Sequence, residues 1–387
     1  MATIKSNRRG FIKSATLIGA GASLIPTAAC ADEAKNSEKI SASALQQPKP
    51  KKILILGGTG FIGPNMVKYA KERGHEVTIF SRGNRESEVD GVEHLIGDRN
   101  NDLSALEGRK WDVVMDNNTY DYKWVQLSTE KLKDAVDHYI FVSSISAYDL
   151  PEESRSDKPV YDQIVDENYN RFKTGPNWKD GDEAPYGLMK AICENIAHEA
   201  FPGRTTVVRP GLIIGPGDKT DRWTYWPVRI AEGGEVLAPG NPQHANQVID
   251  QRDLTEWIVR LAENGAMGNF NGVGPASRMS MGQMLGAIWG GVGGDATFTW
   301  VDEQFLEEQG VGAWQDMPSW IPGDPLMFCT NQKSIEAGLR FRPLAQTAAD
   351  TLAWDLNRPE EERNNRRAGL SREREKEVLD AWASGNN

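Results

Sequence analysis

From residue 51 onward, short apolar runs alternate with stretches whose apolar positions recur at helical spacing. Runs rich in Val, Ile and Phe bounded by Gly, Asp or Ser read as strands, and apolar positions three and four apart read as helices. The pattern predicts strands at 52–56, 76–81, 93–96, 113–116, 139–143 and 205–209. Helices are predicted between them at 61–73, 102–108, 123–136 and 186–201. Parallel strands need crossover connections, so this alternation implies a doubly wound α/β sheet with ligands at the carboxyl ends of its strands. Beyond about residue 215 the pattern loosens. Short strands at 235–238, 247–250, 269–272 and 297–301 mix with helices at 254–264, 280–289, 346–357 and 371–384, the last opening on Ser371 as N-cap. The expected organisation is a nucleotide-type lobe over 51–215 and a smaller mixed α/β lobe with C-terminal helices over 216–387.

The first strand runs into Gly57-Gly58-Thr59-Gly60-Phe61-Ile62-Gly63, and a helical stretch follows. Glycines suit this turn because side chains would keep the backbone from a pyrophosphate, which sits on free amides at the positive end of the helix dipole. Strand before and helix after are the context that such a glycine triplet needs. The sheet is therefore expected to be of the Rossmann type.

The N-terminus lies outside this fold. Ser6-Asn7-Arg8-Arg9-Gly10-Phe11-Ile12-Lys13 is followed by a weakly apolar stretch, 15–25, and small residues through Ala31. This resembles a twin-arginine export signal over 1–31, cleaved after Ala31. Thr27-Ala28-Ala29-Cys30 also resembles a loose lipobox, so lipid anchoring through Cys30 is the alternative outcome. The stretch is too short and too rich in Gly, Ala and Ser for a permanent span, so no transmembrane helix is expected in the mature form. Residues 32–50 are polar and end in Pro48-Lys49-Pro50, which reads as a disordered linker. The expected partner is the twin-arginine machinery, and the expected location is periplasmic or exported.

A net charge of −11 argues against nucleic acid as a partner. Three cysteines (Cys30, Cys193, Cys329) and five histidines form neither a zinc pattern nor a disulfide framework, so no metal is expected. Cys193 falls in a helix and reads as a core residue.

Tyr186-Gly187-Leu188-Met189-Lys190 opens a helix after Pro185. Residues four apart share a helical face, so a neighbouring ammonium favours the phenolate and makes Tyr186 usable as an acid–base. A second copy, Tyr169 to Lys173, is set aside because Thr174-Gly175-Pro176 stops a helix there. The strand at 139–143 ends in Ser143-Ser144, placing hydroxyls beside the cofactor crevice.

Together these residues resemble the extended short-chain dehydrogenase/reductase superfamily, the NAD-dependent epimerase/dehydratase type, over roughly 51–360. Gly97-Asp98-Arg99, Arg209-Pro210 and Gly215-Pro216-Gly217-Asp218 add to the resemblance. It implies Tyr186 as acid–base, Lys190 as its partner and ribose holder, and Ser144 as the group orienting the substrate oxygen. It also implies cofactor contacts from Gly57, Thr59, Gly60, Phe61, Ile62, Gly63, Asp98 and Pro210, and a homodimer through the helices at 123–136 and 186–201.

Two departures from that family shape the functional reading. The second strand ends in Ser81-Arg82 with Arg85 nearby, where NAD-binding members carry an acidic residue for the ribose 2′-hydroxyl. Ser81, Arg82 and Arg85 offer charge-assisted bonds to a 2′-phosphate, so NADP is expected over NAD. Leu212 and Asn246 occupy the positions of an epimerase-type asparagine and arginine that face a nucleoside diphosphate. The cations left for a phosphate are Arg222, Arg229 and Arg252. Most of the 12 tryptophans follow residue 200, and Trp223 or Trp226 could stack on a substrate ring. A long polar stretch, 149–183, separates Ser144 from Tyr186 and reads as a lid or partner-binding loop.

The expected activity is hydride transfer at a carbinol carbon of a small, sugar-like or otherwise hydroxylated substrate. Outside the cytoplasm no pool of free nicotinamide nucleotide is expected, so the cofactor stays bound and is recycled. The competing readings are a sugar-nucleotide epimerase or dehydratase and a non-catalytic nucleotide-binding module.

Overall fold

The computed structural model describes residues 48–117, 121–150, 164–175, 178–179 and 182–385. The export signal, Cys30 and most of the linker lie outside the described residues, as do parts of the 149–183 stretch.

Seven strands form one parallel sheet: β1 (Lys52–Leu56), β2 (Glu76–Ser81), β3 (Glu93–Ile96), β4 (Trp111–Asp116), β5 (Val136–Val142), β6 (Thr205–Pro210) and β7 (Gly268–Gly272). Their spatial order is β7-β6-β5-β4-β1-β2-β3, and every neighbouring pair is parallel. The longer helices are α1 (Gly63–Glu72), α2 (Tyr122–Leu132), α3 (Tyr186–Ala200), α4 (Tyr225–Ala231), α5 (Gln251–Asn264), α6 (Met281–Val292), α7 (Leu344–Leu356) and α8 (Arg372–Gly385).

Successive strand residues face opposite sides of a sheet, and β1 shows what each side buries. Ile53 and Ile55 pack with Met66 and Val67 of α1 and with Leu254 and Trp257 of α5. Leu54 and Leu56 pack on the other side with Val125 of α2 and with Met189 and Cys193 of α3. Both faces are covered, which is why β1 reads as an unbroken apolar run. The strand order reverses between β1 and β4, opening a crevice at their carboxyl ends.

A separate core lies beyond. Trp226, Met284, Leu285 and Ile288 pack with the parallel pair Glu235–Pro239 and Thr297–Val301. The final helix is pinned into it by Glu375, which accepts from Arg229 Nε at 2.6 Å and from the Leu237 amide at 2.9 Å.

Most predicted elements are present, with informative differences. The first helix starts at Gly63, with Pro64 in its first turn, so Phe61 and Ile62 stay in the loop. The stretch at 102–108 forms only a 3-10 turn, Ser104–Leu106, with Leu106 as its buried residue. The stretch at 123–136 splits, because Leu132 ends α2 and Val136 begins β5. The single boundary at residue 215 is corrected too. The strand placed in the second lobe is β7, the last strand of the central sheet, with Gly272 opposite Pro210.

His138 on β5 is buried, with Nε2 2.7 Å from Thr206 Oγ1. The Thr206 hydroxyl donates to the Ala266 carbonyl, so the imidazole donates to it from Nε2. Burial pulls its pKa from 6.5 to about 4. The unfolded chain takes up this proton first, so stability present above pH 6.5 is lost as pH falls toward 4. In His138→Gln, the difference in urea midpoint between neutral and acid pH is expected to shrink. An unchanged difference would exclude His138 as a source of the acid sensitivity.

Candidate active site

The glycine turn is shaped by three different constraints. Gly57 has φ +87°, a conformation open to glycine at little cost. A Cβ on Gly63 would lie 2.4 Å from the Gly58 carbonyl, so only glycine lets α1 approach the strand end. Gly60 is exposed, and a Cβ there would meet nothing nearer than 3.8 Å. The protein's own packing does not require Gly60 to lack a side chain; the open space lies on the ligand side.

That space is a cavity of about 480 Å³, lined by Gly57, Thr59, Gly60, Phe61, Ser81, Arg82, Arg85 and Asp98. Ile62, Gly63 and Pro210 do not line it; they hold the turn and the end of β6. Arg82 and Arg85 are exposed and unpaired with carboxylates among the described residues, and Arg85 reaches the Thr59 carbonyl at 3.5 Å. Ser81 Oγ lies 2.8 Å from His94 Nε2 and accepts from the Gly83 amide. Asp98 holds the Asn100 side chain at 2.7 Å, shaping the turn after β3.

Three residues of this region escaped the sequence reading as site groups. Asn117 also lines the cavity, just past β4, and its Oδ1 is buried without a partner among the described residues. Arg99 grips Asp116 through two bonds of 2.6 and 2.7 Å, and Asp116 also accepts from Tyr139 at 2.5 Å. Burial and the Asp116 charge push the Tyr139 phenol well above its usual range. The signal was available, since Asp116-Asn117 ends the strand beside the order reversal, where ligand groups collect.

A second cavity, of about 550 Å³, contains Ser144 and Tyr186. Phe61 lines both cavities, so both border the glycine turn. Gly187 brings the chemistry together: a Cβ there would strike the Ser146 carbonyl at 2.2 Å. Without a side chain at Gly187, the start of α3 presses onto the turn that carries Ser144. Ser144 Oγ accepts from the Ser146 amide at 3.1 Å, so this serine both caps its turn and faces the cavity. Ser143 is turned inward instead, donating to Glu194 at 2.5 Å.

Lys190 lies under Tyr186, with Nζ 5.8 Å from the phenol ring centroid. It is buried, and Nζ donates to the Val142 carbonyl at 3.0 Å. Burial pulls the ammonium down to about 8. The rejected pair behaves as its sequence suggested: Tyr169 is non-helical and sits edge-on against Tyr148 at 6.1 Å.

On the far wall, Trp223 lines the cavity and its indole donates to Thr351 at 3.0 Å. Trp226 is a core residue and does not line it. Trp314, which the sequence did not single out, does. Leu212 faces the cavity, whereas Asn246 is buried elsewhere, donating to the Ser319 carbonyl at 2.5 Å. Arg229 and Arg252 are held by Glu375, Asp250 and Asp350, which leaves Arg222 as the cation of this wall. Cys193 is buried and its thiol pushed up to about 12 by desolvation, so it is no nucleophile. Among the described residues no cluster of His, Cys, Asp and Glu can hold a metal, and no helix is long and apolar enough to cross a membrane.

The sheet order and its crevice define a Rossmann-type α/β protein. Residues 53–122 match the model of the NAD dependent epimerase/dehydratase family. The fold is similar to that of UDP-glucuronic acid 4-epimerase from Bacillus cereus in complex with NAD, with TM-score 0.54, 15% identity, and coverage of 78% of this chain and 96% of that one. It is also similar to UDP-N-acetylglucosamine 4-epimerase from Methanobrevibacter ruminantium M1 in complex with UDP-N-acetylmuramic acid, with TM-score 0.57, 17% identity, and coverage of 80% and 99%. In sequence the chain is 35% identical over 234 residues to the chloroplast stem-loop binding protein of 41 kDa b of Arabidopsis thaliana, covering 55% of this chain and 56% of that protein. It is 28% identical over 181 residues to 2-alkyl-3-oxoalkanoate reductase of Stenotrophomonas maltophilia, covering 43% and 52%. The chain thus spans just over half the length of these two relatives. The family match covers residues 53–122, and over the rest of the chain the likeness to these structures is one of fold.

Proposed function

We propose that this protein is an NAD(P)-dependent oxidoreductase or epimerase acting at a carbinol carbon of a small hydroxylated molecule. One observation carries the reading: Phe61 lines both the cavity holding Ser144 and Tyr186 and the glycine-turn cavity. A nicotinamide nucleotide held in the glycine-turn cavity would supply a hydride acceptor or donor for a substrate held by Ser144 and Tyr186. The open face of Gly60, the unpartnered Asn117 Oδ1 and the exposed arginines fit such a ligand. Gly57, Thr59 and Gly60 offer backbone to the pyrophosphate, Asn117 an acceptor to a ribose hydroxyl, and Arg82 and Arg85 two cations to a 2′-phosphate.

Ser144 and Tyr186 then hold the substrate oxygen from two sides, and Tyr186 takes or returns its proton. Lys190, buried beneath the ring, stabilises the charge that develops on the phenol oxygen. Export through the twin-arginine route and a homodimer through α2 and α3 are part of the same reading. Leu212 in the wall and Asn246 outside it favour a substrate without a nucleoside diphosphate, against the sugar-nucleotide alternative. A role as a binding module, like the stem-loop binding of the plant relative, sits poorly with a net charge of −11.

The test is mass spectrometry of nucleotide released from the purified protein, followed by Arg82→Ala/Arg85→Ala. NADP is expected to be bound in the wild type. The double variant should weaken NADP by about 10- to 100-fold, the scale of a charge-assisted bond, and leave NAD nearly unchanged. Equal weakening of both, or no bound nucleotide, would overturn the assignment.

A further inference from the structure

The second cavity contains a cation that the reaction above does not use. Arg222 lies with its guanidinium 4.7 Å over the Trp314 ring. Its Nε is buried without a hydrogen-bond partner, and Nη2 makes a long 3.4 Å contact with Gln315. Among the described residues no carboxylate pairs with it, whereas Arg229, Arg252 and Arg358 each reach a carboxylate at 2.6 Å. Buried donors are nearly always satisfied, so this shortfall marks the place of a missing acceptor.

The backbone around Arg222 makes the same point independently. Among the described residues, the non-glycine positions with positive φ are Asp221 (60°), Trp314 (68°) and Ser319 (60°). All three converge on Arg222. Asp221 precedes it, Trp314 lies beneath it, and Ser319 Oγ is 3.4 Å from its carbonyl. Such conformations are disfavoured and persist where surrounding structure enforces them, often at binding sites. The enforcement is visible here: Asp221 is buried and clamped by Arg358 at 2.6 Å and by the Arg367 amide at 3.0 Å. The chain holds Arg222 in place with unusual local cost and gives it no anion of its own.

We propose that Arg222 anchors a carboxylate on the substrate. The molecule presents its carbinol or carbonyl carbon to Ser144 and Tyr186 and carries its carboxylate on an apolar skeleton lying against Leu212, Leu326 and Met327. A guanidinium stacked on an indole presents a planar fork, which matches two carboxylate oxygens. A diphosphate fits worse, because its two charges would meet one cation in a wall that also contains Asp218 and Asp324.

This inference rests on the cavity being the substrate site of the proposed reaction, and its test needs no turnover. Trp223 and Trp314 line the cavity, so their fluorescence reports occupancy. The probes are 3-hydroxybutanoate, 3-hydroxyoctanoate and 3-hydroxydecanoate, each with its methyl ester, and UDP-glucose, all added to nucleotide-loaded protein. The best acid is expected to bind about tenfold or more tightly than its ester. Arg222→Gln should remove most of that preference while ester binding, an internal control for folding, persists; Arg222→Lys should keep part of it. Equal binding of acid and ester, no binding of any acid, a preference unchanged in Arg222→Gln, or Arg222-dependent binding of UDP-glucose would overturn the carboxylate anchor. Nucleotide content measured on the same samples separates the two readings: protein that holds nucleotide but ignores the carboxylate refutes the anchor alone.

Discussion

Tyr186→Phe is expected to lower kcat by about 10²- to 10⁴-fold, the usual contribution of a positioned acid–base group, while nucleotide affinity stays nearly intact. Tyr186 is half exposed at the first turn of α3, so losing its oxygen opens no cavity in the core. Loss should therefore appear in turnover and not in stability, which thermal melts of both proteins can verify. Lys190→Ala should behave differently. Its ammonium is buried and bonded to the end of β5, so activity and stability should both fall. Tyr169→Phe should be close to neutral for turnover. A wild-type rate in Tyr186→Phe, or an inactive Tyr169→Phe, would remove Tyr186 from the centre of the mechanism.

The largest effect on stability is expected at Glu194, on the buried side of α3. Its carboxylate accepts from Ser143 at 2.5 Å, from Arg209 at 2.8 and 2.9 Å, and from Arg171 at 2.7 Å. Arg209 is itself wholly buried and also donates to Tyr148 at 2.9 Å. Removing one member of a buried pair leaves the other charge uncompensated, which costs about 3–5 kcal/mol. Glu194→Leu should lower the urea midpoint by that order. Adding Arg209→Met should recover much of the loss, because the wholly buried stranded charge is then gone and Arg171 is partly open to water. If the double variant is no more stable than Glu194→Leu, the pair is not what the single change broke.

The sheet was legible because its strands are buried on both faces and read as continuous apolar runs between glycines and acids. Its edge was not. A strand was expected at 269–272, but the β7 sequence Gly268-Asn269-Phe270-Asn271-Gly272 has one large apolar residue, so nothing local marks it as part of the central sheet. Its place depends on pairing with β6, a contact across many residues. The turn, the two arginines, Ser144 and Tyr186 were named from residue type and context, and each lines one of the two cavities. Trp314 and Asn117 were not named, and Arg222 was one of three candidate cations for a phosphate, since each matters for what it lacks or leans on in space. An arginine is recognisable as a cation from sequence, but whether a carboxylate meets it is not.

The chain passes between its two cores several times, leaving the sheet after β6, returning in α5 and β7, and leaving again toward α6. The substrate wall and the nucleotide turn are therefore not separable modules. A graft of one relative's substrate side onto another's cofactor side would need several junctions, each cutting through packed strands. The segments of the second core that reach the cleft lie around 212–223 and 314–327. A laboratory search for altered specificity belongs in those segments and not in lobe exchange.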